Sequence, residues 1–474
     1  MEALSQEEKQ ALQAAGASPV ALKRFLRALD GLHLAARPSG KSLATDARKA
    51  RAVYARGTEL LAAWPAKPRR DAMQAAGGEI VHGLLRAVRN RFARAYVVPI
   101  YDRVSDGRRR FLRADELVYR VAELCPGLCP SRPEVEAERG RLLAEKEGVE
   151  IAQGDFLSHV LARRETGNHL LHAMLRPLPQ SRELLARFRQ EGRLDLGKVH
   201  VERRGPLGCV SFNNGRYLNA EDDTTLGPLE TAVDLVLLDP DIQVGLLRGN
   251  PVTHPKHRGR RVFSSGLNLT HAYHGKLSLL FFLIRDLGFV AKLYRGLAGD
   301  EYDPDGPEAT QEKPWIAAVE RFAIGGGCQL LLVMDYVIAE EGSYFSLPAR
   351  KEGIVPGAGP LRLARFVGER AAREGVLFDK TFAAESPEGR SLINEVVPAG
   401  HMDGAIARVV DSVTGGGVIS ARANRKAMRL GHEPVDLFRQ YMALYCREQV
   451  NCYFSPSLIR NLERNWRAAD RPRE

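Results

Sequence analysis

The feature that most constrains this chain is the stretch 320–361, ERFAIGGGCQLLLVMDYVIAEEGSYFSLPARKEGIVPGAGPL. A short apolar approach ends on three consecutive glycines, Gly325, Gly326 and Gly327. The apolar run 330–334 is expected to continue a helix that starts at the glycines. Residues 336–339 read as a strand, and Val355-Pro356-Gly357 closes the stretch as a loop. Glycine at a helix start lets the backbone approach a ligand and leaves first-turn N–H groups unpaired. Such amides can receive negative charge that develops during a reaction, as in an oxyanion hole. The same triplet would also serve plain helix–sheet packing, and by itself it does not separate the two.

A second segment shifts the balance. Upstream, RVFSSGLNL (261–269) has a strand-like start that runs into Gly266-Leu267. In this order and at about this separation, the two segments resemble those of the crotonase (enoyl-CoA hydratase/isomerase) superfamily. The resemblance implies two backbone oxyanion donors, the amides of Leu267 and Gly326. It also implies an α/β fold, with a ββα spiral core between a helical N-terminal domain (1–195) and C-terminal helices (401–474), the core spanning 196–400.

The bulk properties are those of a folded globular protein. With 474 residues, 44% apolar and 27% charged, the chain has the make-up of a globular protein of two or three structural units. It carries no apolar run of ~20 residues, and its opening MEALSQEE has no signal-peptide pattern, so a cytoplasmic compartment is expected. Six cysteines lack paired zinc spacing and are expected as thiols; twelve histidines show no HExxH-like spacing, so no metal is expected. The net charge of +11 invites a nucleic-acid reading. Its arginines, however, are spread along the chain beside acids, as on solvated helix faces, and a basic surface equally suits polyanionic coenzyme A.

Residues 1–195 read as nearly all helical. Ile80, Val81, Leu84, Leu85, Val88 and Phe92 recur at helical spacing, 133–148 reads as a charged helix, and Ser181 as an N-cap. From Gly197 the rhythm changes. Residues 199–202 and 209–212 read as a hairpin, 218–223 as an acidic helix start leading into 229–238, and 244–248 as a strand. Residues 300–312 read as an exposed acidic loop. Strand, helix and strand at these lengths make right-handed crossover units.

Within the superfamily, hydratases place one glutamate two residues after the triplet and another in the later Pro-Glu motif. Here those positions hold Gln329 and Ala349, and neither an amide nor a methyl can move a proton on and off water. Hydration is therefore disfavoured. Glu352, three residues beyond Ala349, reads either as a displaced base or as a surface carboxylate paired with Lys351 or Arg350, and the surface pairing is the one expected.

These departures resemble one branch, the cofactor-independent dioxygenases acting on 3,5-dihydroxyphenylacetyl-CoA in glycopeptide antibiotic assembly. The stretches that carry it are VPIYDR (98–103), AEKEG (144–148), MLRP (174–177), LNAED (218–222) and ETAVD (230–234). RVFSSG (261–266), FAIGGG (322–327) and FSLP (345–348) continue it, so that it covers nearly the whole chain. It implies that Glu221, Arg285 and Gln329 are catalytic, orienting the substrate ring with any of them available to assist proton transfer. It also implies that Leu267 and Gly326 hold an enolate oxygen, and that no cofactor is needed beyond the co-substrate O2. Arg285 sits in IRDLG (284–288), one residue shorter than the family pattern. Plainer roles are a helix first-turn charge for Glu221, a surface arginine for Arg285 and a core amide for Gln329.

Leu269, Ala349 and Ile354 are expected to line an apolar niche for O2, with Val355, Pro356 and Gly357 walling the acyl pocket and Gln449 closing it. His254, Lys256 and Arg261, with Ser265 and Gly266, are the candidates for coenzyme A. The resemblance further implies a trimer or hexamer. The competing readings are another enolate reaction (hydrolysis, isomerisation or decarboxylation) and a non-catalytic acyl-CoA- or RNA-binding scaffold. Anaerobic incubation separates the first pair.

Overall fold

The computed structural model describes residues 4–36, 38–306 and 309–471. Its contacts divide the chain into two compact units, 1–170 and 171–474.

The first unit is helical. Its longest helix, Ala72–Val104, starts at Asp71, whose side chain accepts from the Gln74 amide. Val81, Leu85, Val88 and Phe92 of the expected stripe are buried, and Ile80 and Leu84 are half-buried. Helix Gly40–Ala62 lies so close that a Cβ on Gly57 would stand 2.6 Å from Leu85 Cδ2. The charged helix expected over 133–148 is shorter: Arg132–Glu138, then a single 3-10 turn, Leu143–Glu145. Gly140 breaks it at φ +82°, and the Glu138 carboxylate accepts from the amides of Glu147, Gly148 and Val149 instead of facing solvent.

The second unit is built on a seven-stranded sheet whose spatial order follows the sequence. Arg193–Asp195, Val199–Arg204 and Leu207–Phe212 pair antiparallel, as the hairpin reading requires. Val244–Gly249, Trp315–Val319, Tyr336–Glu340 and Glu395–Val397 then add in parallel. Trp315–Val319 (WIAAV) is buried at every residue, as a parallel strand covered on both faces must be. Helix Met402–Gly415 covers one face through Ala405, Ile406 and Val409. Helix Asp223–Leu238, buried along most of its length, covers the other; a Cβ on Gly208 would stand 2.8 Å from Val236.

A second, three-stranded sheet aligns Phe322–Ile324 parallel to Tyr344–Ser346, which pairs antiparallel with Thr381–Ala383. The chain thus alternates sheets: Trp315–Val319 in the large one, Phe322–Ile324 in the small one, helix Gly326–Leu331, then back to each sheet in turn.

Two local expectations are corrected. Ser181 is not an N-cap but sits inside helix Pro179–Glu191, where its hydroxyl donates to the buried Asp234 carboxylate at 2.8 Å. Residues 261–266 form no strand; their pairing is limited to isolated bridges, Pro251 to Arg261 and Ser264 to Ala323. Of the acidic loop 300–312, Pro307 and Glu308 lie outside the described residues, and Thr310–Gln311 pairs with Leu297–Ala298. No described helix is long and apolar enough to cross a membrane.

Candidate active site

Three backbone segments meet at the glycine triplet. Phe322–Ile324 ends at Gly325, which turns at φ +54° and donates its amide to Ser346 O at 2.8 Å. Segment 261–269 lies alongside, with the Ile324 amide donating to Ser264 O at 3.0 Å. At Gly266 (φ +80°) a Cβ would stand 2.5 Å from Ile324 O and 2.8 Å from Gly326 N. The position is closed to any side chain by conformation and by space. Glu221 forms a parallel bridge to Leu267: its amide donates to Gly266 O at 2.7 Å, and its carbonyl accepts from Asn268 N at 2.8 Å.

That bridge employs Gly266 and Asn268, so the N–H of Leu267 itself points away from it. Gly326 opens a helix, where no preceding carbonyl is in register for its N–H. Among the described residues nothing accepts from either amide. Two unpaired donors therefore occur on backbones that touch, since a Cβ on Gly326 would lie 3.4 Å from Gly266 Cα.

Beside them is a buried polar cluster. Helix Leu279–Leu287 carries Arg285, whose Nε donates to Glu221 Oε2 at 2.7 Å and whose Nη2 donates to Glu221 Oε1 at 2.9 Å. Nη2 also reaches Gly326 O at 2.9 Å, and Nη1 donates to Gln329 Oε1 at 2.9 Å. Burial works against the guanidinium charge, but the Glu221 carboxylate more than offsets it and holds the pKa above its usual value. The fork-on-fork geometry fixes all three side chains against the triplet. The plainer roles for Glu221 and Arg285 are thereby overturned. Glu221 precedes the Asp222 N-cap rather than sitting in the first turn, and Arg285 is buried, not on the surface. The core amide Gln329 is bonded to Arg285.

Asp286, which the sequence gave no reason to single out, is buried with them. Burial pushes its carboxyl up, against Arg285 and Arg362. It accepts from the Ala358 amide at 3.2 Å, tying the Pro-Gly loop to the cluster. Gly357 (φ +47°) is pressed against the same group: a Cβ there would collide with Gln329 Oε1 and stand 2.8 Å from both Asp286 oxygens. The loop is also held from helix Val435–Tyr453. Gln449 Oε1 accepts from Val355 N at 3.0 Å, and the Tyr441 hydroxyl donates to Gly357 O.

Comparison with known proteins gives the family. The enoyl-CoA hydratase/isomerase family model matches residues 308–443. The chain is 43% identical over 402 residues to a (3,5-dihydroxyphenyl)acetyl-CoA 1,2-dioxygenase of Amycolatopsis orientalis, covering 85% of this chain and 91% of that protein. The chain belongs to the crotonase family. It is also 25% identical over 239 residues to a probable mitochondrial enoyl-CoA hydratase of Dictyostelium discoideum, covering 49% of this chain and 76% of that one. A crystal structure of enoyl-CoA hydratase from Bacillus halodurans aligns with a TM-score of 0.47 at 20% identity, over 56% of this chain and all (100%) of that one.

At the two positions where crotonase hydratases carry their glutamates, Gln329 is bonded to Arg285 and Ala349 is buried. Leu269 and Ile354 are half-buried. Of the coenzyme A candidates, Lys256 is exposed and the His254 ring accepts from its amide at 3.3 Å. Arg261 donates to Gly249 O at 3.1 Å and lines a surface cavity of about 280 Å³ with Arg248, Arg260, Arg321, Glu320 and Asp403. Ser265 Oγ donates to Tyr217 O at 3.0 Å, and Gly266 N to Ser264 Oγ at 3.0 Å.

The expectation for Glu352 is wrong. It is not a surface carboxylate: only 4% of it is exposed. Arg350 is taken by the buried Asp379 carboxylate, which also accepts from the Lys351 amide at 3.4 Å. Among the described residues no side chain or amide donates to Glu352. Burial first, and the Asp379 charge second, push its pKa up to about 8. Of the six cysteines, all are free, and all but Cys452 are buried. Among the described residues no group of three or more His, Cys, Asp or Glu is disposed to hold a metal ion.

Proposed function

We propose that this enzyme is a metal- and cofactor-independent dioxygenase that converts 3,5-dihydroxyphenylacetyl-CoA and O2 to 3,5-dihydroxyphenylglyoxylate and CoA. One observation carries the reading: a Glu221–Arg285–Gln329 cluster, rather than a pair of free glutamates, packs against the acceptor-free amides. An amide bonded to a buried arginine cannot deliver water to a double bond, but an aryl ring with hydroxyls can be oriented by such a cluster.

A benzylic carbon beside a thioester is acidified by both the ring and the carbonyl. In this reading the Leu267 and Gly326 amides hold the enolate oxygen in a dry site, where each donor is worth more than in water. The electron-rich carbon then reacts with O2, which Leu269, Ala349 and Ile354 accommodate in an apolar niche. The resulting peroxide attacks the thioester and expels CoA. Val355, Pro356 and Gly357 wall the acyl pocket; Lys256 and Arg261 meet the phosphates of the substrate's coenzyme A. Copies of the chain associate as trimers or hexamers, covering exposed apolar residues such as Leu377, Phe378 and Ile419.

The test is aerobic incubation with 3,5-dihydroxyphenylacetyl-CoA and labelled O2 after metal chelation, read by mass spectrometry. Two labelled oxygens in the glyoxylate, and no turnover without O2, are expected. Release of unlabelled arylacetate would instead indicate hydrolysis.

A further inference from the structure

We propose that the Glu352 carboxylate is the base that takes the proton from the acyl carbon next to the thioester carbonyl. The inference rests on the dioxygenase reading, which requires an enolate and therefore a proton acceptor.

The other carboxylates around the triplet are committed. Both Glu221 oxygens are held by Arg285. Asp286 accepts from Ala358 N and lies 3.7 Å from Arg285 Nη1. Asp222 accepts from Thr224 and Asn268 and faces His271 at 3.0 Å. Glu320 is held by Arg248. Glu352 has no such donor among the described residues.

Its position is also right. A Cβ on Gly325 would stand 3.6 Å from Glu352 Oε1 and 3.8 Å from Gly266 Cα. A Cβ on Gly326 would stand 2.6 Å from Glu221 Oε1 and 3.4 Å from the same Gly266 Cα. Glu352 and the Glu221–Arg285 pair therefore both lie at the junction of the two oxyanion segments, Glu352 beside Gly325 and the pair beside Gly326. A thioester carbonyl held at the Gly326 amide has its α-carbon one bond from the carbonyl carbon. One carboxylate group would orient the ring and the other would face the carbon to be ionised.

The surroundings suit a base rather than a structural charge. The helix turn bearing Glu352 packs against Pro456–Trp466 through the neutral Leu458 and Asn461 at Gly353. The charged group that faces it is Asp379, already clamped by Arg350. Among the described residues no cation holds Glu352 in its ionised form, so it gains a proton readily; its pKa of about 8 lies near working pH.

In the step, the Cα–H bond breaks, the proton moves to Glu352, and the electron pair forms the enolate whose oxygen the two amides hold. O2, the co-substrate of the reading, then takes electrons from the enolate as a C–O bond forms. The sum balances as arylacetyl-CoA plus O2 giving arylglyoxylate, CoA thiol and one proton.

The experiment compares the full chain with Glu352→Gln and Glu352→Asp on 3,5-dihydroxyphenylacetyl-CoA. It follows O2 uptake in air, and deuterium exchange at the α-carbon without O2, over pH 6 to 9. Glu352→Gln is expected to slow exchange and uptake together by about 100-fold or more with little change in KM. It should also abolish a rise in kcat between pH 7 and 9, and Glu352→Asp should restore part of the exchange. A folded Glu352→Gln protein that exchanges or oxygenates within threefold of the unsubstituted chain overturns the proposal and leaves the dioxygenase reading intact. If the unsubstituted chain takes up no O2 with this thioester, the reading falls and the proposal with it.

Discussion

At Gly326 a single hydrogen decides whether the cluster can form. Alanine there would bring its methyl to 2.6 Å from Glu221 Oε1 and 3.1 Å from Arg285 Nη2, so the ion pair must part or the triplet must shift. Separating a buried pair costs about 3–5 kcal/mol. Gly326→Ala is therefore expected to lower the melting temperature and to cut O2 uptake by about 100-fold or more, checked by thermal melts and an oxygen electrode. Glu352 makes the opposite stability prediction. The folded chain keeps this proton up to about pH 8, whereas an unfolded glutamate releases it near 4.5. Stability is thus lost as pH rises between those values. Glu352→Gln should be more stable than the unsubstituted chain at pH 8.5, by on the order of a few kcal/mol, and about equal to it at pH 4.5. Urea unfolding at the two pH values measures this. Glu352 also marks a limit of reading residues in a line. Its neighbours Arg350 and Lys351 suggest an exposed pair, and nothing local reveals that Asp379, 29 residues on, captures the arginine.

Elements with a strong period were legible; connections whose shape depends on distant partners were not. The hairpin, the strands Val244–Gly249 and Tyr336–Glu340 and the start of the triplet helix follow from alternation, apolar runs and glycine placement. That helix stops at Leu331 instead of running on through 334, and the short strand Glu395–Val397 was not foreseen. Segment 261–266 looks like a strand because it is apolar and β-branched at its start, yet its amides are taken up one at a time. Pro251 and Arg261 flank a short turn, within which the Val252 amide donates to Arg260 O, and Ser264 and Ser265 bond to 217–219. The role of helix Val435–Tyr453 was foreseen only at Gln449. Its grip on the Pro-Gly loop also runs through Tyr441, and Tyr453 donates to Leu277 O at 2.7 Å. If this helix sets the loop, Tyr441→Phe should cost about 1 kcal/mol of stability. Gln449→Leu, which strands the Val355 amide, should cost about 1–3 kcal/mol. Both should raise KM for the thioester more than they lower kcat, in steady-state O2 uptake.

Over the whole molecule, 69 basic residues against 58 acidic ones leave a net charge of +11. Many of the arginines nearest the site are paired internally: Arg285 with Glu221, Arg248 with Glu320 and Asp403, and Arg362 with Glu433, which Arg295 and Arg365 share. The excess is therefore felt at exposed groups such as Lys256, Arg258 and Arg260, on the segment that leads into Gly266-Leu267. A charged loop there would act on the phosphates of coenzyme A and not on the aryl group, so it should govern capture of the substrate and leave the chemical step alone. Raising ionic strength from about 0.01 to about 0.15 M shortens the screening length from about 30 to about 8 Å. Across that range kcat/KM for the arylacetyl-CoA should fall several-fold through KM, with kcat unchanged. The matching pantetheine thioester, which lacks the phosphates, should show almost no salt dependence, and Lys256→Ala should flatten the response of the full substrate. Equal salt dependence for the two thioesters would mean that the positive charge acts elsewhere on the surface, and that this loop is a solvated turn with no part in binding.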